Sequence, residues 1–548
     1  MNRKNLTAAV LAGLAGAAGI VGSAQAVNIN PDGLGQVLIY PYYTVNGGNV
    51  TLLSVVNTTE DAKAVKVRFT EGQNTREVLD FNLYLSAYDV WAAGIVNVDG
   101  TPTLYVNDTS CTVPYIYGNG GTQEFLPYAL TDGGETTIDR AREGHFEMIE
   151  MGTLIDDSEA SIGRMSATAA THVAAQACTT EADGACPAVP ANCQQLVDAW
   201  TDPDDTVAGD EGYWLQDPFT DLTAPSGGLF GGASIINVSE GFMTSYDAKA
   251  INGFATMVDA NDVLHQEPGN VLPGLNSGDV VDGTVFLDTG ATLTSTGLTR
   301  GVDAVSFVFM HDQIMNEYTT EDSVAAGTEW VVTFPTKHFY VYPPSSGSDT
   351  PVDPFTSTWQ PVLTEGACEV VLLDTLWNRE EQSFIAPIDP GDPVPPIVSP
   401  APPGVIDPVN PIIPFELCYE TSVIRFGAVG PTPKIETGTE ILGSVNYHNI
   451  DNTELGYETG WARLQLEDYP HDANGDGIID KFEAELKRQP LGSFGDALGL
   501  AGLPVTGFAV YQFDNGFLGD GADVLAHYGG IFQHKGTRKL ASMHITPK

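Results

Sequence analysis

The sequence predicts a mainly β protein, with one or more antiparallel immunoglobulin-like β-sandwich domains and a small helical, disulfide-stapled insertion. Three observations lead to this fold class. Apolar and polar residues alternate near the N-terminus, and turn-rich pieces separate the alternating runs. Residues 156–202 then change to an Ala-, Ser- and Thr-rich composition that contains three of the six cysteines. Strands at this spacing are typical of sandwiches, and the composition change marks the insertion.

The alternating runs are residues 65–69, which read VKVRF, and residues 79–86, which read LDFNLYLS. An alternation of period two is typical of a strand with one face on a core and the other in water. We therefore expect Lys66 and Arg68 to face solvent. Farther along, the apolar segments 305–310 and 330–342 predict buried elements.

The insertion is predicted to contain one short helix. Asn192 can cap a helix that runs through Trp200, because an Asn side chain accepts a hydrogen bond from the first turn. Leu196 and Trp200 would then share one face.

These patterns predict the following order of regions: a signal peptide at 1–26, a β-sandwich-like domain at 27–155, a helical and loop-containing cysteine insertion at 156–228, a second β region at 229–385, a proline-rich loop at 386–414, and a C-terminal β region at 415–548. The proline-rich loop rests on the eleven prolines between 387 and 414. Proline at that density forms neither helix nor inner strand.

The N-terminus predicts export. Arg3 and Lys4 precede the uncharged apolar run 6–21, and Ala24 and Ala26 stand at the two positions that signal peptidase reads. This order is typical of a cleavable signal peptide, with cleavage after Ala26. We expect a protein that is secreted, held at the cell surface or kept in the periplasm. No later stretch is long and apolar enough to predict a transmembrane segment.

The charge balance restricts the partners. The chain has 71 acidic and 23 basic residues, and a formal net charge of −48. Such a surface repels phosphate backbones, so no nucleic-acid partner is expected. It attracts cations and keeps the protein soluble in a medium rich in salt.

An even number of cysteines in an exported chain predicts disulfides. The six are Cys111, Cys178, Cys186, Cys193, Cys368 and Cys418. Six cysteines allow 15 pairings. Spacing favours Cys368–Cys418, which closes the proline-rich loop, and the other four are expected to tie the insertion to the region of Cys111.

One motif carries specific chemistry. Residues 472–483 read DANGDGIIDKFE, with acidic or amide side chains at alternate positions, a glycine at the sixth position and Glu at the twelfth. The segment resembles the calcium loops of EF-hand and dockerin-type proteins. The resemblance implies one Ca²⁺ ion with a defined ligand set. Its members are Asp472, Asn474, Asp476, the Ile478 carbonyl, Asp480 and Glu483.

The flanks of this loop differ from a true EF-hand. Pro470 would end any entering helix, Pro490 limits the exit helix, and the chain has no second loop to pair with. A structural calcium clip is therefore expected rather than a sensor that opens a groove.

Two further motifs are weak. Asp288-Thr289-Gly290 imitates the aspartic-protease turn, but that catalysis needs two such turns and the chain has one. Residues 503–507 read LPVTG, the string that sortases cleave, but no apolar span follows it.

Together these features predict an exported, acidic, calcium-binding and noncatalytic structural protein of the cell surface or matrix, of the surface-layer type. Its expected partners are calcium and either other copies of itself or other surface components. Two alternatives remain open: a secreted hydrolase or carbohydrate-active enzyme, and a glycan- or protein-binding adhesion module. A carboxylate-lined pocket would favour the first alternative, and an exposed aromatic platform would favour the second.

Overall fold

The computed structural model describes residues 26–156, 164–173, 188–203, 211–257, 264–342, 351–360, 366–381, 413–427, 438–452, 458–467, 487–492, 495–517 and 525–542. Strands make up 48% of the structure and helices 10%, so the prediction of a mainly β fold is confirmed. The signal peptide apart from Ala26, nearly all of the proline-rich loop, Cys178 and Cys186 lie outside the described residues.

The strands of the first half are β1 (Asn28–Ile29), β2 (Val37–Thr44), β3 (Val50–Asn57), β4 (Lys63–Glu71), β5 (Glu77–Leu85), β6 (Val90–Val98), β7 (Thr101–Tyr105), β8 (Cys111–Val113), β9 (Thr122–Glu124), β10 (Glu143–Leu154), β11 (His172–Val173), β12 (Val189–Pro190), β13 (Leu222–Thr223), β14 (Leu229–Asn237), β15 (Phe242–Asp247) and β16 (Lys249–Asn252). The helices of this half are α1 (Ser166–Ala170), α2 (Cys193–Asp198) and α3 (Tyr213–Gln216), with 3₁₀ turns at Asn46–Gly48 and Ile138–Arg142.

The strands of the second half are β17 (Gly283–Phe286), β18 (Thr292–Ser295), β19 (Met310–His311), β20 (Gln313–Thr319), β21 (Ala326–Thr333), β22 (Glu369–Asn378), β23 (Ile413–Leu417), β24 (Thr421–Phe426), β25 (Tyr447–Ile450), β26 (Thr459–Gln465), β27 (Arg488–Leu491), β28 (Gly495–Ala501), β29 (Leu503–Pro504), β30 (Thr506–Phe517), β31 (Leu525–Gln533), β32 (Lys535–Thr537) and β33 (Leu540–Ser542). Its helices are α4 (Gly301–Phe309) and α5 (His338–Val341), with a 3₁₀ turn at Asp322–Val324.

Two antiparallel sheets form a sandwich in the first half. Sheet A has the order β1-β16-β2-β10-β4-β5-β8, with β13 beside β10, and sheet B has the order β15-β14-β3-β6-β7-β9. Strands β14 and β16, from segment 229–252, pair with β3 and β2. The predicted division at 228/229 therefore separates segments that the structure joins in the same sheets.

Two five-stranded sheets dominate the second half. Sheet C has the order β23-β22-β26-β20-β32, and sheet D has the order β25-β24-β21-β30-β31. Helix α4 is buried along its whole length in the core of this half. The apolar run 305–310 is therefore buried as predicted, but as a helix for most of its length, because a short apolar run does not distinguish helix from strand.

The central strand of sheet D, β21, is buried on both faces from Thr328 to Thr333. Trp330 and Val332 of β21 point into the core of the second half. Val331, between them, joins the core of the first sandwich. Tyr246 of sheet B stacks on Phe508 of sheet D, with 4.9 Å between ring centroids. The two halves therefore share one sheet as a common wall.

The helical insertion is confirmed. Asn192 caps α2, and its side-chain oxygen accepts a hydrogen bond from the Gln195 N–H at 3.2 Å. The Cys111–Cys193 disulfide joins α2 to strand β8 of sheet A. The Cys368–Cys418 disulfide is formed as predicted, beside the pairing of β22 with β23.

The polar face of β4 differs from the prediction. Lys66 is fully buried and Arg68 is 8% exposed, so the expectation that they face water is wrong. Lys66 pairs with Asp80, and the Arg68 Nε donates to Glu77 at 2.8 Å. The backbone N–H of Gly269 also donates to Asp80, so a segment distant in sequence covers this face.

Candidate functional site

The predicted calcium ligands lie outside the described residues, within the segment 468–486. They are Asp472, Asn474, Asp476, Ile478, Asp480 and Glu483. The structure describes the residues on both sides of this segment, Leu466 and Glu467 before it and Lys487 after it.

Both ends are anchored near one end of strand β22. Gln465, the last residue of β26, pairs with Leu372 of β22. On the other side of the segment, the Lys487 Nζ donates to the Val370 carbonyl, two residues from Leu372. The residues that flank positions 468–486 therefore lie at neighbouring points of the fold.

An ion pair strengthens the entering end. The Lys539 Nζ lies 2.5 Å from a Glu467 carboxylate oxygen and 3.7 Å from an Asp312 oxygen. Asp312 also accepts the Leu466 N–H through its backbone carbonyl at 2.9 Å. Leu466 is fully buried, so the stem of the predicted loop is attached to the core.

Within the described ranges, one group of His, Cys, Asp and Glu side chains is close enough to hold a metal: Cys368, Glu416 and Cys418. Its two sulfur atoms are joined in a disulfide. They are therefore not the thiolates that a metal site needs. This group is structural.

A different feature stands out on the outer face of sheet B. Its three adjacent strands β14, β3 and β6 each present four outward residues, and none of these is charged. We call this surface the uncharged face. Its members are Phe230, Gly232, Ser234 and Ile236 of β14, Val50, Leu52, Ser54 and Val56 of β3, and Val90, Ala92, Gly94 and Val96 of β6.

The strand register arranges these residues in four rows across the sheet. The first row is Phe230, Val56 and Val90, and the second is Gly232, Ser54 and Ala92. The third row is Ser234, Leu52 and Gly94. The fourth row pairs Ile236 with Val50, and Val96 follows Ile95, the partner of Thr51, on β6. Large side chains therefore form ridges at the two ends, with small residues between them and Leu52 standing near the centre.

The large residues of this face are accessible. Val90 is 51% exposed, and Phe230 and Leu52 are each 43% exposed. The Leu52 side chain leans over Gly94, where an added Cβ would lie 3.1 Å from a Leu52 methyl group. Two carboxylates flank the second row: Asp247 lies on the neighbouring strand β15, level with Gly232, and Asp108 accepts the Ala92 backbone N–H at 3.2 Å.

The weak catalytic motif is explained by local structure. Asp288 lies in the turn between β17 and β18, and its carboxylate accepts the Arg538 backbone N–H at 2.5 Å. Gly290 has a φ of +78°, which the turn requires. The LPVTG string is buried, since Leu503 is inaccessible and Val505 is 2% exposed.

Carboxylates also line a groove of 520 Å³ beside strand β5. They are Glu77 and Asp80, which pair with Arg68 and Lys66. A glycosidase needs one carboxyl group that protonates the substrate and another that attacks it or activates water. Both carboxylates of this groove are instead engaged in ion pairs.

Other buried ionisable groups also form ion pairs within the protein. Arg140, whose side chain is inaccessible, donates two hydrogen bonds to Glu71, at 2.7 and 2.9 Å, and two to Asp132, at 2.8 and 2.7 Å. Burial alone would raise the pKa of Asp132, but hydrogen bonds from Arg140 and Asn74 bring it down to about 2. The side chains of Arg140, Glu71, Asp132 and Asn74 therefore connect the end of β4 to the loop before β10.

Trp377 and Trp461 form an aromatic pair on sheet C. Their rings stack with centroids 4.1 Å apart and an interplanar angle of 8°. The Arg463 guanidinium lies 5.3 Å from the Trp377 centroid, and Trp461 is 37% exposed. The pair leaves one indole partly accessible.

The comparisons with known proteins do not extend this picture: no family model, curated protein or solved structure matches the chain. Of the described helices, none is long and apolar enough to cross a membrane.

Sequence reasoning missed the uncharged face, although a partial signal for it exists. Strand β3 reads VTLLSVVN and strand β14 reads LFGGASIIN, without a charged residue on either face. Strand β6, which reads VWAAGIVNV, also lacks charge, but so does the buried strand β2, so missing charge alone does not mark an exposed face.

Proposed function

We propose that this is an exported, noncatalytic, calcium-binding structural protein of the cell surface or extracellular matrix, which works by assembly through its uncharged face. The observation that carries the proposal is the contrast between this face and the rest of a chain that has 71 acidic residues. Apolar surface without charge is typical of the centre of a protein interface.

The arrangement of the ionisable groups supports a noncatalytic role. Catalysis needs groups that are free to exchange protons with a substrate, and such groups line an accessible site. The buried carboxylates Glu71 and Asp132 and the groove carboxylates Glu77 and Asp80 are instead bonded to cations of the protein.

Calcium has a supporting part in this proposal. The donor atoms of segment 472–483 are hard oxygens, which suit Ca²⁺. Because Leu466 and Lys487, on either side of the segment, are attached to the core, a metal-bound loop would also stabilise the core. Glu483 would contribute two oxygens. Without a paired loop, we expect weak binding, with a Kd of roughly 10⁻⁴–10⁻³ M.

The calcium part is tested by calorimetry of the purified protein. Calcium should raise the Tm, because the ion binds only the folded loop, and a chelator should reverse the rise. Glu483→Gln should remove most of this response, whereas Glu467→Gln, at the stem, should keep it. Identical melting curves with calcium and with chelator would exclude the site.

The cellular part is tested by fractionation of the native cell. We expect the protein in the surface or matrix fraction, partly released by a chelator. Recovery of the full-length chain in the cytoplasm, with residues 1–26 retained, would refute the proposal.

The Trp377–Trp461 pair favours one alternative function, glycan binding by an adhesion module. An exposed indole can stack against the apolar face of a sugar ring. The test is retention on insoluble polysaccharide: a specific loss in Trp461→Ala, with Tyr128→Ala as an exposed aromatic control, would favour this alternative. Equal behaviour of the two variants would exclude a role for Trp461.

A further inference from the structure

We propose that the uncharged face binds a second copy of this chain, sheet against sheet, about a two-fold axis that runs across the strands. This inference rests on the proposed function and deepens it by naming the partner. The commonest oligomers are two-fold dimers in which the same patch of both copies meets itself. Such a patch must be complementary to its own image.

The two central rows meet that condition. An axis between the second and third rows places Leu52 of each copy over Ser54 of the other. The same axis sets Ala92 against Gly94, so the large Leu52 side chain meets a small one and the smallest residues leave room for close approach. At the two ends, Phe230 would pack against Ile236. The sheets would then pack as the two layers of a sandwich do.

The charge pattern agrees with the same axis. On β15, Asp247 is level with the second row and Ser245 with the third. The axis therefore places Asp247 of one copy opposite Ser245 of the other, where a hydroxyl can donate to the carboxylate. The two acidic groups do not face each other, and this matters for molecules that each have a net charge of −48.

A partner of different chemistry fits less well. A face without charged residues cannot select a basic or acidic surface by attraction, so selection depends on shape. The shape that the rows match is their own reversed copy.

The size of the face sets the strength of binding. The uncharged face and the neighbouring strand β15 together make four strands, about 4.8 Å apart and about seven residues long at about 3.4 Å each, which cover roughly 450 Å² on each copy. The pair would bury about 900 Å², below the usual size of a stable interface, so we expect a dimer with a Kd of roughly 1–100 μM.

Sedimentation velocity of the purified exported protein tests the proposal, over about 1–300 μM to bracket that Kd. We expect a concentration-dependent shift from monomer to dimer. Dimerisation should strengthen as ionic strength rises, because salt screens the repulsion between acidic copies. An interface built on salt bridges would weaken instead.

Substitutions test the axis. Leu52→Lys should weaken the dimer by at least about tenfold, because it places an ammonium group in an apolar interface. Tyr128→Lys is the matched control, since it makes the same charge change at a side chain that is 79% exposed in the groove beside β5. Tyr128→Lys should leave the Kd unchanged, and circular dichroism should show both variants folded.

Ser245 provides a second test that does not depend on Leu52. Ser245→Asp should weaken the dimer by putting like charges opposite each other, and Ser245→Lys should strengthen it by pairing with Asp247 of the second copy. Equal Kd values for these two variants would overturn the proposed axis.

A monomer at every concentration and salt level would overturn the second copy as the partner, but it would leave the surface location and calcium response of the proposed function intact. If the exported protein were monomeric and Leu52→Lys alone were lost from the surface fraction, the face would bind a different partner and the dimer would be refuted. Failure of the fractionation test with a dimer still formed would refute only the proposed function.

Discussion

The cluster formed by Arg140, Glu71, Asp132 and Asn74 offers the sharpest test of what stabilises the first sandwich. Arg140→Met removes a guanidinium that donates two hydrogen bonds to each of two inaccessible carboxylates, Glu71 and Asp132. Met has a similar length but no charge. The two carboxylates would then remain buried without their cation.

The expected loss follows from this geometry. Removing one partner of a buried ion pair costs about 3–5 kcal/mol, because the remaining charge is left uncompensated. Here two carboxylates share one cation, so we expect a loss of at least about 4 kcal/mol in the free energy of unfolding. Arg140→Lys should lose less, since it keeps the charge but cannot reach all four oxygens.

Denaturant unfolding followed by tryptophan fluorescence measures the loss. Trp359 is a local reporter, because its indole N–H donates to the Asp132 carbonyl at 3.0 Å. The gap between wild type and Arg140→Met should shrink as pH falls from 7 towards 4. Without the guanidinium, the pKa of Asp132 rises from about 2, so the folded variant binds a proton in acid and recovers stability. An unchanged midpoint at pH 7, or a gap that widens in acid, would refute this reasoning.

Three further predictions concern pH, a disulfide and processing. Burial raises the pKa of Glu329 from 4.5 to about 7, so the folded state binds the extra proton and the free energy of unfolding should fall by about 3 kcal/mol as pH rises through that window. Glu329→Gln should flatten the pH profile between 4.5 and 7, and an unaltered slope would exclude this group as its cause. Replacing both Cys368 and Cys418 by Ala should cost about 4 kcal/mol in the chain-entropy model, measured by denaturant unfolding. A loss close to zero would show that the cross-link does not restrict the unfolded chain. Intact-mass analysis should give a mature N-terminus at Val27, and a form that keeps Ala26 and all that precedes it would disprove cleavage there.

The β elements were predictable because their signal is local. Alternation at residues 65–69 marks β4, and the capping residue Asn192 marks α2. The Cys368–Cys418 pair was predictable from loop length, and the structure adds that β22 and β23 pair beside it. In each case the deciding interactions lie within a few residues or follow from chain connectivity.

The misplaced polar face has a nonlocal cause. Lys66 and Arg68 sit at alternating positions that normally face water, but Gly269 and its neighbours, some 200 residues later, close over them. Periodicity within one strand contains no information about such a cover. The acidic composition also does not show which carboxylates, such as that of Asp80, are buried counterions of a lysine or arginine.

The same limit applies to the uncharged face. Its rows exist only after β3, β6 and β14 are paired in register, and β14 follows β6 by more than 100 residues. A sequence shows which strands lack charge, but not that three of them are neighbours. The predicted calcium loop is the opposite case, because its twelve consecutive residues contain the whole pattern.

The sheet that both cores share has a mechanical consequence. Trp330 and Val331 of strand β21 belong to different cores. The two halves therefore cannot separate without exposing apolar surface to water. A molecule stretched between its two halves should therefore resist as one body. Single-molecule pulling is expected to give one main rupture event rather than two separate ones. In the extracellular layer that we propose, the load between neighbouring molecules would therefore cross a stiff connection rather than a hinge.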